Sequence, residues 1–145
     1  KLCDDRSKMV SKAILEDRLI PFSYNIKGYV SSIWGKLFYQ SSYERRFIEI
    51  CEKNINIKQV IRCNFCIYYY VDKKRHRYHP DFIIIYKNDS KEIVEIKPKS
   101  LLEYANNPIK FRELENYCII NKLKYSILTE DFLEKGEKWK TNSEN

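Results

Sequence analysis

Two acidic residues and one lysine lie in segments whose composition is otherwise typical of buried strands. Asp81 precedes the apolar run 82–86, and Glu95 and Lys97 lie near the end of the β-branched segment 91–97. Buried strands ordinarily carry apolar side chains, so three charged residues in these positions need an explanation. Chemistry that requires two carboxylates and an ammonium group is one such explanation.

The loop between the two segments decides whether the three charged side chains meet. A three-residue loop at 88–90 places Asp81 opposite Lys97, and Asp81, Glu95 and Lys97 then share one face of the sheet. A two-residue loop would place Asp81 opposite Ile96 and separate the group. We therefore expect a loop with an odd number of residues, or a bulge.

Two carboxylates that converge without a neutralising partner repel each other, and a divalent cation removes that conflict. Oxygen ligands favour a hard ion such as Mg²⁺, which keeps several waters and accepts phosphate oxygens. Such an ion polarises a phosphodiester and lowers the pKa of a bound water. Lys97 projects to the same side as Glu95, where it can orient that water or stabilise developing negative charge. The alternative is a surface salt bridge between Lys97 and one of the acids.

The elements that would position these residues follow the order helix, three strands, helix, strand. Three consecutive strands are expected to form an antiparallel meander, and the second helix is long enough to return the last strand parallel. The predicted fold class is α/β, with a mixed central sheet flanked by helices. The predicted elements are a helix at 41–54, strands at 59–71, 77–86 and 91–97, a helix that begins near 106–108, and a strand at 124–129.

The chain is expected to form one domain with short additions at both ends. Residues 1–34 are predicted to be an N-terminal extension with a short helix at 11–19, and a hairpin is expected to turn near 34–36. Residues 35–134 form the predicted core, and 135–145 a flexible tail.

The net charge of +7 favours a polyanionic partner, with nucleic acid first and an acidic membrane second. The longest apolar run is far too short for a membrane span, and no membrane association is expected. Five cysteines, an odd number, indicate reduced thiols and an intracellular protein. Abundant Lys, Ile, Asn, Tyr and Phe are typical of an AT-rich genome such as that of a phage or mobile element.

Pro80-Asp81 followed by Glu95-Ile96-Lys97 resembles the PD-(D/E)XK nuclease signature. The predicted order of elements also resembles the restriction-endonuclease-like core of that superfamily. The stretches SSYERRFIEICE, RYHPDFIIIY and EIVEIKPK are similar to the N-terminal catalytic domain of the TnsA endonucleases, which cut transposon ends.

The resemblance implies a catalytic site and a cofactor. It implies that Asp81 and Glu95 bind Mg²⁺ together with the backbone carbonyl of Ile96, with Mn²⁺ as a substitute. It also implies that Glu44, an acid on the first helix, joins Asp81, Glu95 and Lys97 as a catalytic residue. A transposase-like partner protein is a further implication.

Glu44 also has a structural interpretation. Ser41 and Glu44 form a capping box, in which the glutamate bonds back to the backbone at the start of the helix. Gln40 and Tyr43 flank Glu44 and are secondary candidates for the site.

Basic residues that could contact DNA phosphates form a second group of candidates. Four of them lie at a predicted hairpin tip, 72–77, and two lie near the start of later elements; for each, a solvated surface position is the alternative. Tyr68, Tyr69 and Tyr70 are interpreted as strand formers and not as base-stacking residues. The DNA-binding candidates are Lys73, Lys74, Arg75, Arg77, Lys99 and Lys110.

Cys63-x-x-Cys66 followed by His76-x-x-His79 has the ligand count of a zinc site but not its usual spacing. If 59–71 is one strand, the two cysteines point to opposite faces, which argues against zinc. His79, next to Pro80-Asp81, is expected to lie nearer the active site than His76.

The sequence therefore predicts a Mg²⁺-dependent DNA endonuclease of the transposon-end, homing or restriction type. The alternatives are a Holliday-junction or branched-DNA resolvase with the same core, a non-catalytic nucleic-acid-binding subunit, and an RNA nuclease. One active site cuts one strand, so double-strand cleavage would need a homodimer, a partner protein or two binding events.

Overall fold

The computed structural model describes residues 27–135. The predicted helix at 11–19 and the predicted tail after residue 135 lie outside the described residues. The elements are β1 (Gly28–Ser32), β2 (Gly35–Tyr39), α1 (Ser42–Glu52), β3 (Ile57–Arg62), β4 (Ile67–Val71), β5 (Lys74–Tyr78), β6 (Phe82–Tyr86), β7 (Lys91–Ile96), a 3₁₀ turn (Lys99–Leu101), α2 (Asn107–Asn121), β8 (Lys124–Leu128) and α3 (Glu130–Lys135).

A four-stranded sheet in the order β3-β6-β7-β8 forms the centre of the molecule. The pairs β3–β6 and β6–β7 are antiparallel, whereas β8 runs parallel to β7. The parallel pair requires a crossover connection, which α2 supplies. The predicted mixed α/β fold is confirmed, and the arrangement is compatible with a restriction-endonuclease-like core.

The predicted strands at 59–71 and 77–86 are each broken in two, and this part of the prediction was wrong. The first part of 59–71 and the last part of 77–86 pair as β3 and β6 in the central sheet. The last part of 59–71 and the start of 77–86 belong to β4 and β5, which pair in a separate two-stranded sheet. We call this hairpin, residues 67–78, the arm. Pro80 lies at the break, where it cannot donate a ladder hydrogen bond. The break also leaves unequal connecting segments, 63–66 and 79–81, on the two sides.

Extension of the β6–β7 register by one pair places Tyr86 opposite Ser90, so the loop between the paired residues has three residues, as expected. It consists of 87–89, one residue earlier than predicted, with Asp89 in the left-handed region (φ 66°) that commonly ends such loops. The amide of Tyr86 donates to the carbonyl of Ser90 over 2.9 Å and closes the loop.

The pairing register is therefore shifted by two residues from the predicted one. Phe82 lies opposite Val94, and extension of this register by one pair puts Asp81 opposite Glu95 and not opposite Lys97. Because side chains alternate with a period of two, a shift of two leaves each side chain on its predicted face. Asp81, Glu95 and Lys97 therefore still share one side of the sheet.

Helices cover both faces of the sheet. One face packs against α1 and α3 through a cluster that includes Phe47, Phe82 and Leu133. The other face packs against α2 and the inner side of the arm through a cluster that includes Ile93 and Leu114. Along β7, positions 93 and 95 alternate with positions 94 and 96, which belong to the first cluster. The side chain at position 95 therefore points to the other face, toward α2 and the arm.

A hairpin of β1 and β2 precedes α1 and contacts it. Its turn falls at 33–34, one residue before the predicted position, and Gly35 adopts a left-handed φ of 108° there. The predicted domain boundary at residue 34 lies in this turn, and the division into extension and core stays a prediction.

The longest helix of the described region, α2, has 15 residues and carries charged side chains. Across residues 27–135, none of the helices is both long enough and apolar enough to cross a membrane.

Substitution of Leu114 by Ala tests the packing of α2 on the sheet and the arm. Leu114 is fully buried, and its truncation is expected to lower the free energy of unfolding by about 3 kcal/mol because it removes apolar contact and leaves a cavity. Ile119→Ala is the matched control, since Ile119 lies exposed on the same helix. Urea denaturation measures the free energy of unfolding of both variants. Equal losses of stability in the two variants would contradict this packing.

Candidate active site

An open cleft of about 450 Å³ lies beside the junction of the central sheet and the arm. All four residues predicted to be catalytic reach it, together with Ile96 and two of the predicted DNA-contacting residues. The residues that line it are Lys27, Gln40, Glu44, Arg77, Tyr78, His79, Asp81, Glu95, Ile96, Lys97 and Lys110.

Asp81 lies immediately before β6 with its side chain 13% exposed. The backbone N–H of Ile96 donates to Asp81 Oδ2 over 2.8 Å and fixes the carboxylate against β7. Burial raises the pKa of Asp81 well above its ordinary value, and the carboxylates of Glu95 and Glu44 raise it further. The Ile96 N–H and the Arg62 guanidinium oppose that rise in pKa.

Glu95 lies in β7 and is almost completely buried, with 4% of its surface exposed. The hydroxyl of Tyr78 donates to Glu95 Oε2 over 2.9 Å, and Lys97 Nζ lies 3.6 Å from Oε1. Burial raises the pKa of Glu95 to about 7, although Lys97 and Tyr78 both act to lower it. The acid is thus held in place by two neighbours while its charge is destabilised by its surroundings.

Lys97 follows β7 and points to the same side as Glu95. Its backbone amide donates to the carbonyl of Leu128 over 2.9 Å, which continues the pairing of this segment with β8. The side chains of Lys97 and Glu95 are only 16% and 6% exposed. The ion pair that the alternative interpretation expected is therefore present, but it lies in the cleft and not on an exposed surface; the metal site stays a prediction.

Glu44 lies in the first turn of α1, where Ser41 is the N-cap. The Ser41 hydroxyl accepts from the Glu44 N–H over 3.2 Å and donates to Glu44 Oε2 over 3.3 Å. The other carboxylate oxygen, Oε1, is paired with the guanidinium of Arg62. Glu44 therefore takes part in the helix cap and also reaches the cleft.

Arg62 is a site residue that the sequence did not reveal. Its guanidinium pairs with Glu44, lies 4.0 Å from Asp81 Oδ1 and sits 4.5 Å above the ring of Phe82. These contacts depend on the position of Arg62 at the end of β3, directly opposite Phe82. The prediction of one continuous strand at 59–71 did not place Arg62 at the end of a strand.

Tyr78 is the second residue that sequence reasoning missed. It is the last residue of β5 and is buried, and its hydroxyl contacts Glu95 across the junction of two sheets. Burial and the neighbouring carboxylates raise the pKa of the Tyr78 hydroxyl, so it stays protonated and acts as a hydrogen-bond donor. Its position three residues before Asp81 is the only sequence signal for this role.

The acidic residues fit a hard cation without forming a complete metal centre. Asp81 is largely buried and Glu95 almost completely so; the two acids repel each other and face one cleft, and a divalent ion would stabilise both charges. In the part of the chain that the structure describes, no three His, Cys, Asp or Glu side chains form a preformed metal site. The pairing of Glu44 with Arg62 agrees with this finding. Two carboxylates are sufficient for Mg²⁺, which ordinarily keeps several waters.

The cysteines and histidines of the zinc-like pattern lie apart. Cys63 and Cys66 belong to the connection between β3 and β4, so their predicted location within one strand was wrong. His76 stacks on Tyr69 on the arm, with ring centroids 5.2 Å apart. His79 lines the cleft, in agreement with its expected position near Asp81.

The predicted DNA-contacting residues occupy three places. Arg77 and Lys110 line the cleft, and Lys110 Nζ lies 5.8 Å from the ring centre of Tyr69. Lys73, Lys74 and Arg75 lie on the arm. Lys99 lies at the 3₁₀ turn, where its ammonium pairs with Asp131 and its backbone amide donates to Glu130.

Comparison with known proteins identifies one family. A family model described as the TnsA-like endonuclease N-terminal domain matches residues 44–130, more than half of the chain. The match begins at Glu44 and includes Asp81, Glu95 and Lys97. No curated protein matches the chain.

The raised pKa of Glu95 predicts how stability depends on pH. Because the folded-state pKa of about 7 exceeds the ordinary value of 4.5, protonation favours the folded state. This contribution is fully present below pH 4.5 and is lost as pH rises through 7. We expect it to lower the free energy of unfolding by about 3 kcal/mol between pH 5 and pH 8.

Urea denaturation in EDTA, with wild type compared to Glu95→Gln, measures this contribution. The neutral variant is expected to lose the part of the pH dependence that Glu95 supplies. Glu103→Gln, at an exposed position, is the control and is expected to behave as wild type. Identical pH profiles for wild type and Glu95→Gln would show that the acid is not destabilised in this way.

Proposed function

The chain belongs to the TnsA-like endonuclease N-terminal family, and on this basis we propose that it is a Mg²⁺-dependent DNA endonuclease that hydrolyses phosphodiester bonds. Family membership supports a nuclease. The proposal that it depends on Mg²⁺ and hydrolyses DNA is supported by the convergence of Asp81, Glu95 and Lys97 in one cleft. A protein that only bound DNA would have no need to bury two repelling carboxylates beside a lysine.

The residues proposed to hold the ion are Asp81 and Glu95, together with the backbone carbonyl of Ile96 and with Glu44 as a third acid. Mn²⁺ is expected to substitute for Mg²⁺, because it also accepts oxygen ligands. When bound, the ion would polarise the phosphodiester and lower the pKa of a water.

The chain supplies positioning and charge. The Ile96 N–H and the Tyr78 hydroxyl hold the two carboxylates in fixed orientations, so little reorganisation is needed when DNA binds. Lys97 lies beside Glu95 with its side chain largely buried, where its ammonium group stabilises negative charge that develops on a phosphate. Arg77 and Lys110, at the cleft wall, are proposed to contact the flanking phosphates.

Arg62 is proposed to act as a positioning residue. It holds Glu44 at the cleft and lies close enough to Asp81 to offset part of the negative charge there. The guanidinium thereby sets how strongly the acidic group attracts a cation.

The biological context is also part of the proposal. One site of this kind cuts one strand, so paired cuts would need a second copy of the chain or another nuclease. We propose DNA of a mobile element or phage as the substrate, inside the cell, and a homodimer or a transposase-like protein as the partner.

Supercoiled plasmid provides the first test of the nuclease. Asp81→Asn is expected to slow Mg²⁺-dependent nicking by more than about 100-fold, because the change removes an anionic ligand. Asp89→Asn is the matched control: it makes the same chemical change on an exposed loop, where the left-handed backbone suits Asn equally well.

Omission of the metal completes the plasmid test. EDTA is expected to abolish nicking by wild type, while DNA binding persists in both variants. Binding without nicking in Mg²⁺ and in Mn²⁺ would refute the nuclease and favour a non-catalytic binding subunit.

Titration of Mg²⁺ tests the role of Arg62. Arg62→Ala removes a positive charge beside Asp81, so the half-saturating Mg²⁺ concentration is expected to fall by about 10-fold. The maximal nicking rate is expected to fall as well, because Glu44 loses its partner. Arg62→Lys keeps the charge and is expected to restore the half-saturating concentration. An unchanged half-saturating concentration in Arg62→Ala would limit Arg62 to a structural role.

A further inference from the structure

The arm has two different faces because its turn fixes its register. Asp72 and Lys73 form a two-residue turn with φ values of 50° and 66°, as the tight hairpin turn requires. Ile67, Tyr69 and Tyr78 point inwards and are buried. The residues between them necessarily point outwards.

The outward residues form a surface of alternating tyrosine and arginine, which we call the outer arm face. Tyr68 pairs across the hairpin with Arg77, and Tyr70 pairs with Arg75. Tyr68 is 43% exposed and Tyr70 is 63% exposed. The guanidinium of Arg75 lies 4.5 Å above the ring of Tyr68, so ring and cation are in contact.

The charge of the arm favours a polyanion. Lys73, Lys74, Arg75 and Arg77 are its four full cations, against the single acid Asp72. Phosphates are therefore attracted to the surface on which the two tyrosine rings are exposed. Exposed aromatic rings beside cations are the arrangement that binds single strands, in which bases stack on the rings and phosphates contact the cations.

The outer arm face is continuous with the cleft. Arg77 belongs to both, and the next residue, Tyr78, holds Glu95 by a hydrogen bond. A DNA strand that contacts Arg77 on the outer arm face therefore lies at the cleft that Asp81 and Glu95 also line. Bases of an intact duplex are already stacked on one another, so the tyrosines offer a binding advantage only to unpaired bases.

We propose that the outer arm face binds unpaired bases of single-stranded DNA next to the cleavage position. Tyr68 and Tyr70 stack on the bases, and Arg75 and Arg77 contact the phosphates. The substrate class is thus DNA with a single-stranded segment beside the scissile bond, such as a flap or branch. This inference rests on the proposed nuclease for its placement at a cleavage site. It replaces the interpretation of Tyr68 and Tyr70 as strand formers alone.

Fluorescence anisotropy in EDTA tests the inference without any need for cleavage. The probes are a labelled oligothymidylate and a labelled mixed-sequence duplex of the same length. Tyr68→Ala/Tyr70→Ala is expected to weaken binding of the oligothymidylate by about 10-fold or more and binding of the duplex by less than about 2-fold. Tyr68→Phe/Tyr70→Phe keeps the rings and is expected to bind as wild type.

Tyr104→Ala is the matched control, since Tyr104 is 66% exposed but lies outside the arm. Circular dichroism checks that the double variant is folded; if it is not, Tyr70→Ala alone is used, because Tyr70 is the more exposed of the pair. An unchanged affinity for the oligothymidylate, or equal weakening with both probes, would overturn the inference. Tighter binding of oligouridylate RNA than of oligothymidylate would overturn the assignment to DNA.

The binding experiment and the nicking experiment test the binding surface and the nuclease separately. Loss of oligothymidylate binding in the alanine variant together with no nicking by wild type would refute the nuclease and leave the binding surface intact. Nicking by wild type together with unchanged binding in the alanine variant would refute the binding surface alone.

Discussion

The repulsion between two buried carboxylates is the constraint on which the rest of the structure depends. Burial raises the pKa of both Asp81 and Glu95, so two bare charges at this place are unfavourable. Separate donors, the Ile96 N–H and the Tyr78 hydroxyl, keep the acids in place. A fold that holds two such groups together accepts a cost in stability that a ligand can remove.

Each layer of the fold contributes one part of this arrangement. The central sheet brings Asp81 next to β7, and the parallel strand β8 anchors the segment that carries Lys97. Helix α1 presents Glu44 from the opposite layer, and β3 supplies Arg62 between the acids. The arm contributes Tyr78 to the cleft. The site therefore draws its residues from α1, β3, β5, the segment before β6, and the end of β7.

Positive charge surrounds this acidic centre. Lys97, Arg77 and Lys110 line the same cleft as the acids, and further cations lie on the arm. This charge attracts a polyanion. In the proposed nuclease, DNA and a metal ion would support each other's binding, because each offsets the charge of the other.

The sequence by itself determined the two main helices, the segments that form the central sheet, the mixed α/β class and the face shared by Asp81, Glu95 and Lys97. These features follow from local periodicity and from the parity of a short loop, and a register error of two residues leaves them intact. Only the tertiary structure decided that the segment 59–71 breaks into β3 and β4, and with that break the positions of Arg62 and Tyr78. Strands β3 and β4 both consist of residues that favour strands, so local propensity does not predict the break between them. They are separate strands because β3 pairs with β6 whereas β4 pairs with β5.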